Sequence, residues 1–181
     1  MKKILYIFGF LILMVSCTGL PDFSNTPSIS YNNVRILTGT STGQLGNPTK
    51  RDSVIISIDY QDGDGDLGFN DADFAALQKQ YGLDVRTFLI ELYVKKNGAF
   101  VLTNPSVKYG GNIRFRLKEG AKPGPIEGVI DYSVNFEYNL IEGIPELTGK
   151  RDTVKFDVTI KDRAMNTSNT IQTPEVVIYK E

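Results

Sequence analysis

Two stretches of this chain alternate between apolar side chains and mostly polar ones, and no other feature of the sequence constrains its fold as strongly. The apolar positions are Val54, Ile56, Ile58 and Tyr60 in the first stretch, and Val154, Phe156, Val158 and Ile160 in the second. Successive side chains of a β-strand point to opposite faces of the sheet. The alternation therefore predicts two strands, each with one face in a core and one toward solvent.

The rest of the chain after residue 28 divides into further short strands and turns. We predict strands over Ile29–Leu37, Ser53–Tyr60, Thr87–Lys96, Phe100–Leu102, Ile113–Leu117, Gly128–Tyr138, Thr153–Lys161 and Thr170–Tyr179. Turns are predicted at 97–98, 110–111, 120–124 and 143–145, where glycine recurs. Asp73 is predicted to cap one short helix that ends at Gly82. Seven to eight short strands with one short helix after an acidic loop indicate an all-β fold, an immunoglobulin/fibronectin-like antiparallel β-sandwich.

The N-terminus has the organisation of a signal peptide. Lys2 and Lys3 precede an apolar stretch, residues 4–15, that is too short to cross a bilayer comfortably but suits a signal sequence. Ser16 supplies a small residue at the cleavage point, and it is followed by Cys17. Since Cys17 is the only cysteine, it has no partner for an intrachain disulfide.

This arrangement resembles the lipobox of bacterial lipoproteins, with Met14 where leucine is usual. The resemblance implies that residues 1–16 are removed, that Cys17 is acylated, and that the lipid anchors the protein to a membrane. Residues 17–28 would then form the lipidated cysteine and a tether, and residues 29–181 a single β-sandwich domain. The alternative is an ordinary secretory signal with an incidental cysteine.

The two alternating strands share their flanking residues. Lys-Arg-Asp begins both of them, at 50–52 and at 150–152, and each is followed by a loop that contains an aspartate, Asp62 or Asp162. In an immunoglobulin-like sandwich the second and sixth strands run in the same direction, so we expect both loops at one end. The loop over 161–169 resembles the turn between the last two strands of bacterial immunoglobulin-like domains. Met165 stands where those turns carry glycine, so we expect a different turn.

The loop that follows the first alternating strand is the chemical feature of the sequence. Its oxygen-bearing side chains are Asp62, Asp64, Asp66, Asn70 and Asp73. Ca²⁺ takes six to eight oxygen ligands in irregular geometry, and neighbouring carboxylates without a cation repel one another. We therefore predict a structural Ca²⁺ site from these five residues, with Asp162 as either a further ligand or a turn cap. The alternative is a solvated acidic turn.

This loop also resembles those of known calcium-binding and lipoprotein families. Its spacing is similar to an EF-hand or thrombospondin-type loop, but Leu67 stands where glycine is expected and Asp73 where glutamate is expected. The run DGDGDLG resembles a segment of lipoproteins of the Bacteroidota. That resemblance covers the signal, the acidic loop and the later turn, and it implies a membrane lipoprotein of that kind.

The composition narrows the range of functions. The chain has no histidine, which removes the commonest general base, and a net charge of −1, which disfavours nucleic acid as a partner. It has no nucleophile motif, P-loop or dinucleotide fingerprint. We expect no enzymatic activity.

The anchor and the sandwich together predict a non-catalytic cell-envelope lipoprotein. It would be a binding or scaffolding module, such as an accessory subunit of an outer-membrane complex with an outer-membrane protein as its partner. The lipid would hold it in the outer membrane of a Gram-negative bacterium, on the periplasmic or the surface face. One alternative is a carbohydrate-binding lipoprotein of a glycan uptake system, in which tyrosines line the site: Tyr93, Tyr109, Tyr132 and Tyr138. The other alternative is a metal-dependent hydrolase.

Overall fold

The computed structural model describes residue 19 and residues 21–42, 48–103, 109–114, 122–138 and 144–179. The predicted signal sequence and Cys17 lie outside the described residues. The elements are β1 (Ser28–Thr42), β2 (Pro48–Asp62), α1 (Asp71–Tyr81), β3 (Phe88–Lys96), β4 (Ala99–Leu102), β5 (Gly110–Gly111), β6 (Ile126–Glu137), β7 (Asp152–Ile160), β8 (Ile171–Gln172) and β9 (Val176–Ile178). No helix in these ranges is long and apolar enough to cross a membrane.

The strands form two antiparallel sheets that face each other. The first sheet has the order β1-β2-β6, and the second has the order β4-β3-β7-β8, with β5 paired to β3 and β9 paired to β7. In the first sheet Ile56 lies opposite Tyr132, and in the second Leu92 lies opposite Phe156. The predicted fold class, an immunoglobulin/fibronectin-like antiparallel β-sandwich, is confirmed.

The core lies between the sheets and follows the alternation of the sequence. All eight apolar positions that predicted the two strands are buried, and β3 adds the inward residues Phe88, Ile90, Leu92 and Val94. Phe136 of β6 crosses the interface, with its ring centroid 6.3 Å from that of Phe156 and 6.2 Å from that of Tyr179. The packing of these inward faces fixes the register of each strand, because a one-residue slip would expose them.

The two strands with shared flanking residues run in the same direction in opposite sheets. At their beginnings, Asp52 accepts a hydrogen bond of 2.6 Å from the Tyr179 amide. The carbonyl of Tyr179 accepts one from the backbone amide of Arg151. At their other ends, Asp62 and Asp162 lie together. The expectation that both aspartate loops emerge at one end of the sandwich is therefore confirmed.

The structure differs from the predicted elements in three places. Gly110 and Gly111 form β5 instead of a turn, because the missing side chain lets Gly110 pass close to the Phe88 carbonyl, where a Cβ would clash. Residues 113–114 are not in a strand, and the remainder of that predicted strand lies outside the described residues. The last predicted strand is divided into β8 and β9 on either side of Pro174, which has no amide hydrogen to donate to a ladder.

Candidate metal centre

Three carboxylates converge at the end of the sandwich where β2 and β7 finish. They belong to Asp62, the last residue of β2, to Asp66 in the loop that follows, and to Asp162, two residues after β7. One oxygen from each lies within 4.8 Å of the other two. Asp62 and Asp162 have no exposed surface, and Asp66 is partly buried. We call these three residues the carboxylate cluster.

The acidic loop is folded back on itself by two glycines with left-handed backbone angles. Gly65 has φ of 71° and Gly68 has φ of 84°, a region that residues with a Cβ seldom adopt. Between them the side chain of Leu67 is fully buried in the main core. The Asp66 amide donates a hydrogen bond of 2.8 Å to Oδ2 of Asp62, which holds the two carboxylates on the same side of the loop. An EF-hand carries glycine at the position of Leu67. In this loop the glycine with a left-handed conformation, Gly68, stands one residue later.

The second loop positions Asp162 through Asn166. The Asn166 amide donates to Oδ1 of Asp162 at 2.7 Å, and its side-chain nitrogen donates to Oδ2 at 2.8 Å. Asp162 therefore caps its own turn and is also a member of the carboxylate cluster. Met165 adopts φ of 65°, the left-handed conformation that glycine adopts freely, and its side chain packs beside Phe69 and Phe74. The turn is thus made with methionine in a left-handed conformation.

The carboxylates of the acidic loop are poorly compensated by the protein. Among the described residues, no hydrogen-bond donor reaches Oδ1 of Asp62, Asp64 or Asp66, although all three atoms are buried. Burial, and then the charges of neighbouring aspartates, raise the pKa of Asp62 to about 6. The same causes raise the pKa of Asp66 to about 6 and raise the pKa of Asp162. Arg163 lowers the pKa of Asp66 and offsets only part of this effect.

Two other buried aspartates, at the opposite end of the sandwich, show what full compensation looks like. Asp52 accepts hydrogen bonds from the Thr38 hydroxyl at 2.6 Å and from the Tyr179 amide at 2.6 Å. Asp152 accepts three hydrogen bonds, from the amide and hydroxyl of Thr148 and the amide of Gly149. These carboxylates are satisfied by protein donors. In the carboxylate cluster only Asp162 accepts hydrogen bonds on both oxygens, whereas Oδ1 of Asp62 and of Asp66 has no donor among the described residues.

The geometry of the cluster fits a hard cation. Oxygen ligands lie about 2.3 to 2.6 Å from Ca²⁺, so two ligands of one ion are separated by at most about 5 Å. The three oxygens meet that limit. At an effective dielectric constant of about 20, two like charges at such a separation repel by about 3 kcal/mol, which a divalent cation between them would reverse.

The predicted ligands divide into two groups in the structure. Asp62, Asp66 and Asp162 form the cluster, and the charge of Asp64 raises the pKa values of all three. The other two predicted ligands, Asn70 and Asp73, belong to the beginning of α1. Oδ1 of Asn70 accepts the amide hydrogen of Asp73 at 2.8 Å, so Asn70 is the N-cap. The prediction that Asp73 caps the helix is therefore wrong, while the predicted end at Gly82 is confirmed.

Sequence reasoning missed the residues that support the cluster from the second loop. Nε of Arg163 donates to the carbonyl of Asp66 at 2.9 Å and so ties the two loops together. Asn166 orients Asp162, as described above. Both residues belong to the turn motif of residues 162–166, which indicated a turn but not its contact with a loop about one hundred residues earlier.

The four tyrosines of the predicted carbohydrate site do not form one surface. Tyr132 stacks on Phe88 in the core, with ring centroids 4.7 Å apart, and Tyr138 packs edge-on against Tyr179 at 5.1 Å. The ring of Tyr93 lies beneath the ammonium group of Lys155 at 5.4 Å. Only Tyr109 among the four lines a cavity of about 560 Å³ on the second sheet.

Comparisons with known proteins do not assign the chain to a family. No protein-family model matches it, and no curated protein and no solved structure is significantly similar to it. The functional interpretation therefore depends on the residues and their geometry.

Proposed function

We propose that this chain is a non-catalytic cell-envelope lipoprotein whose β-sandwich is stabilised by one Ca²⁺ ion at the carboxylate cluster. Cys17 would carry the lipid, and the domain would serve as a binding or scaffolding module at the outer membrane of a Gram-negative bacterium, such as a member of the Bacteroidota. An outer-membrane protein is the partner that we propose. The domain would then be an accessory subunit of an outer-membrane complex.

One observation carries the metal part of this proposal. Asp62 has no exposed surface, and its Oδ1 atom has no hydrogen-bond donor among the described residues. A buried ionised carboxylate without a partner is strongly unfavourable, so such groups in proteins are usually paired or bound to a metal. The carboxylates of Asp66 and Asp162 add negative charge at the same point instead of removing it.

The donor set favours Ca²⁺ over Mg²⁺. All the proposed protein ligands are carboxylate oxygens on two loops, and Asp64 has a further buried oxygen at the same loop. Ca²⁺ accepts such irregular sets, whereas Mg²⁺ requires near-ideal octahedral geometry and retains several waters. Asp62, Asp66, Asp162 and Asp64 would supply part of the shell, and water or backbone carbonyls the remainder.

Thermal melting in the presence of different cations tests the metal site. At a Ca²⁺ concentration about 1,000 times the dissociation constant, binding should stabilise the fold by about 4 kcal/mol. For a domain of this size that corresponds to an increase in Tm of about 10 °C over the value in chelator. Mg²⁺ at the same concentration should give a much smaller increase. An identical Tm in Ca²⁺ and in chelator would refute the metal site.

The lipid anchor is tested separately by replacing Cys17. The protein with Cys17→Ser should leave the membrane fraction, because serine cannot form the thioether to which the lipid is attached. Mass spectrometry of the unsubstituted protein should show the mass of the attached acyl chains at Cys17. A substituted protein that still fractionates with the outer membrane would show that its anchor is something other than this lipid.

A non-catalytic role is supported by the burial of the carboxylates. Glycoside hydrolases place two carboxyl groups on either side of an accessible bond. Asp62 and Asp162 have no exposed surface, so a substrate has no access to them. The proposed partner is tested by crosslinking in intact cells, which should capture an outer-membrane protein. A saturable signal on a glycan array, without such a crosslink, would favour the carbohydrate-binding alternative.

A further inference from the structure

The segment that enters the sandwich from the N-terminus docks on the acidic loop. The amide of Gly63, which lies between Asp62 and Asp64 in the sequence, donates a hydrogen bond of 2.8 Å to the carbonyl of Ser24. A Cβ at Gly63 would collide with the backbone of Phe23 and Ser24. This contact therefore requires glycine because the two backbones approach closely, and not because of a left-handed φ.

The same segment is also fastened to the second loop. Oδ1 of Asn169 accepts the amide hydrogen of Ile29 at 2.9 Å, and the side-chain nitrogen of Asn169 donates to the Ile29 carbonyl at 2.8 Å. Pro27, between the two contacts, is buried. Residues 21–29 thus touch both of the loops that contribute carboxylates to the cluster.

We propose that a cation at the carboxylate cluster fixes residues 21–27, which lead into β1, against the sandwich, and that its release frees them. This inference rests on the proposed function, since it requires the cation site. With the cation, Asp62, Asp66 and Asp162 are held at one point, so Gly63 and Asn169 are held in register for the segment. Without it, the mutual repulsion of the carboxylates separates the two loops and the two contacts cannot form together.

The consequence for an anchored protein is a tether whose length depends on the cation. An extended chain spans at most about 3.4 Å per residue. From Cys17 to the docked Ser24 the chain can reach at most about 24 Å, and from Cys17 to Ser28, where β1 begins, it can reach about 37 Å. Loss of the cation would therefore let the domain move farther from the membrane and reorient.

Hydrogen–deuterium exchange of the full-length chain in detergent, with Ca²⁺ or with chelator, tests this inference. Ca²⁺ should slow exchange about tenfold or more in two peptides, one covering residues 21–27 and one covering the acidic loop. Slower exchange in the acidic loop alone would overturn the tether inference and leave the metal site standing. Unchanged exchange in both peptides would overturn both.

A glycine substitution separates docking from ligand loss. Gly63→Ala removes no carboxylate but places a Cβ against the docked backbone, so residues 21–27 should exchange fast even in Ca²⁺. Docking of the segment and binding of Ca²⁺ affect each other reciprocally. The Ca²⁺ affinity of Gly63→Ala should therefore be lower than that of the wild type by the factor by which Ca²⁺ slows exchange of the segment in the wild type. Gly39→Ala is the matched control, because an added Cβ there meets no atom within 4 Å.

A second variant keeps the inference testable if Gly63→Ala does not fold. Asn169→Ala removes both hydrogen bonds to Ile29 from the other loop and changes no backbone conformation. It should also release the segment and weaken Ca²⁺ binding. Wild-type protection of residues 21–27 and wild-type Ca²⁺ affinity in this variant would contradict the inference.

Discussion

Replacing Asp62 by asparagine should change the stability of the protein in opposite directions with and without calcium. In chelator at pH 7 the buried carboxylate is ionised in both the folded and the unfolded protein, so the full cost of burying its charge opposes folding. That cost follows from its pKa, which the fold raises from 3.8 to about 6. Each pKa unit corresponds to about 1.4 kcal/mol, so the cost is about 3 kcal/mol. Asp62→Asn should be more stable than the wild type by about this amount in chelator.

Calcium should reverse that order. At a concentration about 1,000 times the dissociation constant, the ion adds about 4 kcal/mol to the wild type. Asp62→Asn lacks one of the three carboxylates, so it should bind the ion far more weakly and gain little. The wild type should then be the more stable protein, by about 1 kcal/mol. Urea unfolding at pH 7, with calcium and with chelator, measures both differences.

Asp52→Asn is the matched control at the other end of the sandwich. The Asp52 carboxylate is equally buried, but hydroxyl and amide groups donate to it. An asparagine there brings an N–H group toward other donors, so it should destabilise the protein by about 1 to 3 kcal/mol whether or not calcium is present. The control should destabilise the protein equally with calcium and with chelator. If Asp62→Asn does the same, the reasoning about an uncompensated carboxylate is refuted.

Three further predictions concern pH, Asn70 and Arg163. Because the folded-state pKa values of Asp62 and Asp66 are about 6, above the unfolded value of 3.8, the folded protein binds more protons in this range. The free energy of unfolding in chelator should therefore fall as the pH rises from about 4 to about 7. A free energy of unfolding that increases over this range would contradict the predicted sign. Asn70→Ala should cost about 1 kcal/mol through loss of the helix cap, while calorimetry should show an unchanged calcium affinity. Arg163→Gln should strengthen calcium binding in the same assay, since it removes a positive charge beside the site, and should destabilise the chelated protein; weaker binding would contradict that role.

The fold could be predicted because local patterns determine it. The alternation from Val54 to Tyr60 and from Val154 to Ile160 identified the two central strands, and their buried faces fix the register. The position of Asp62 and Asp162 at one end followed from treating these strands as the second and sixth of an immunoglobulin-like sandwich, which run in the same direction. What local pattern could not predict was β5, whose pairing depends on the close approach of Gly110 to a strand distant in sequence.

All three members of the carboxylate cluster were among the predicted ligands, whereas two other predicted ligands stand at the beginning of α1. Spacing by analogy with continuous calcium loops placed Asn70 and Asp73 among the ligands, but their contacts belong to the beginning of a helix. Asp162, about one hundred positions away, completes the cluster, and it was predicted from the topology of the sandwich and not from the spacing. A spacing rule describes one continuous loop, so it cannot reveal a group that tertiary packing brings to it, such as Arg163 beside Asp66.

Calorimetric titration of Ca²⁺ into the protein tests the central claim most directly. The three convergent carboxylates predict one ion per chain, with a dissociation constant of about 10⁻⁶ M, which is within the range of EF-hand calcium sensors. Asp162→Asn should weaken this binding, because it removes charge from the cluster while asparagine can still accept the turn hydrogen bond from the Asn166 amide. No heat of binding in the unsubstituted protein at millimolar Ca²⁺ would contradict the claim that the buried carboxylates form a cation site.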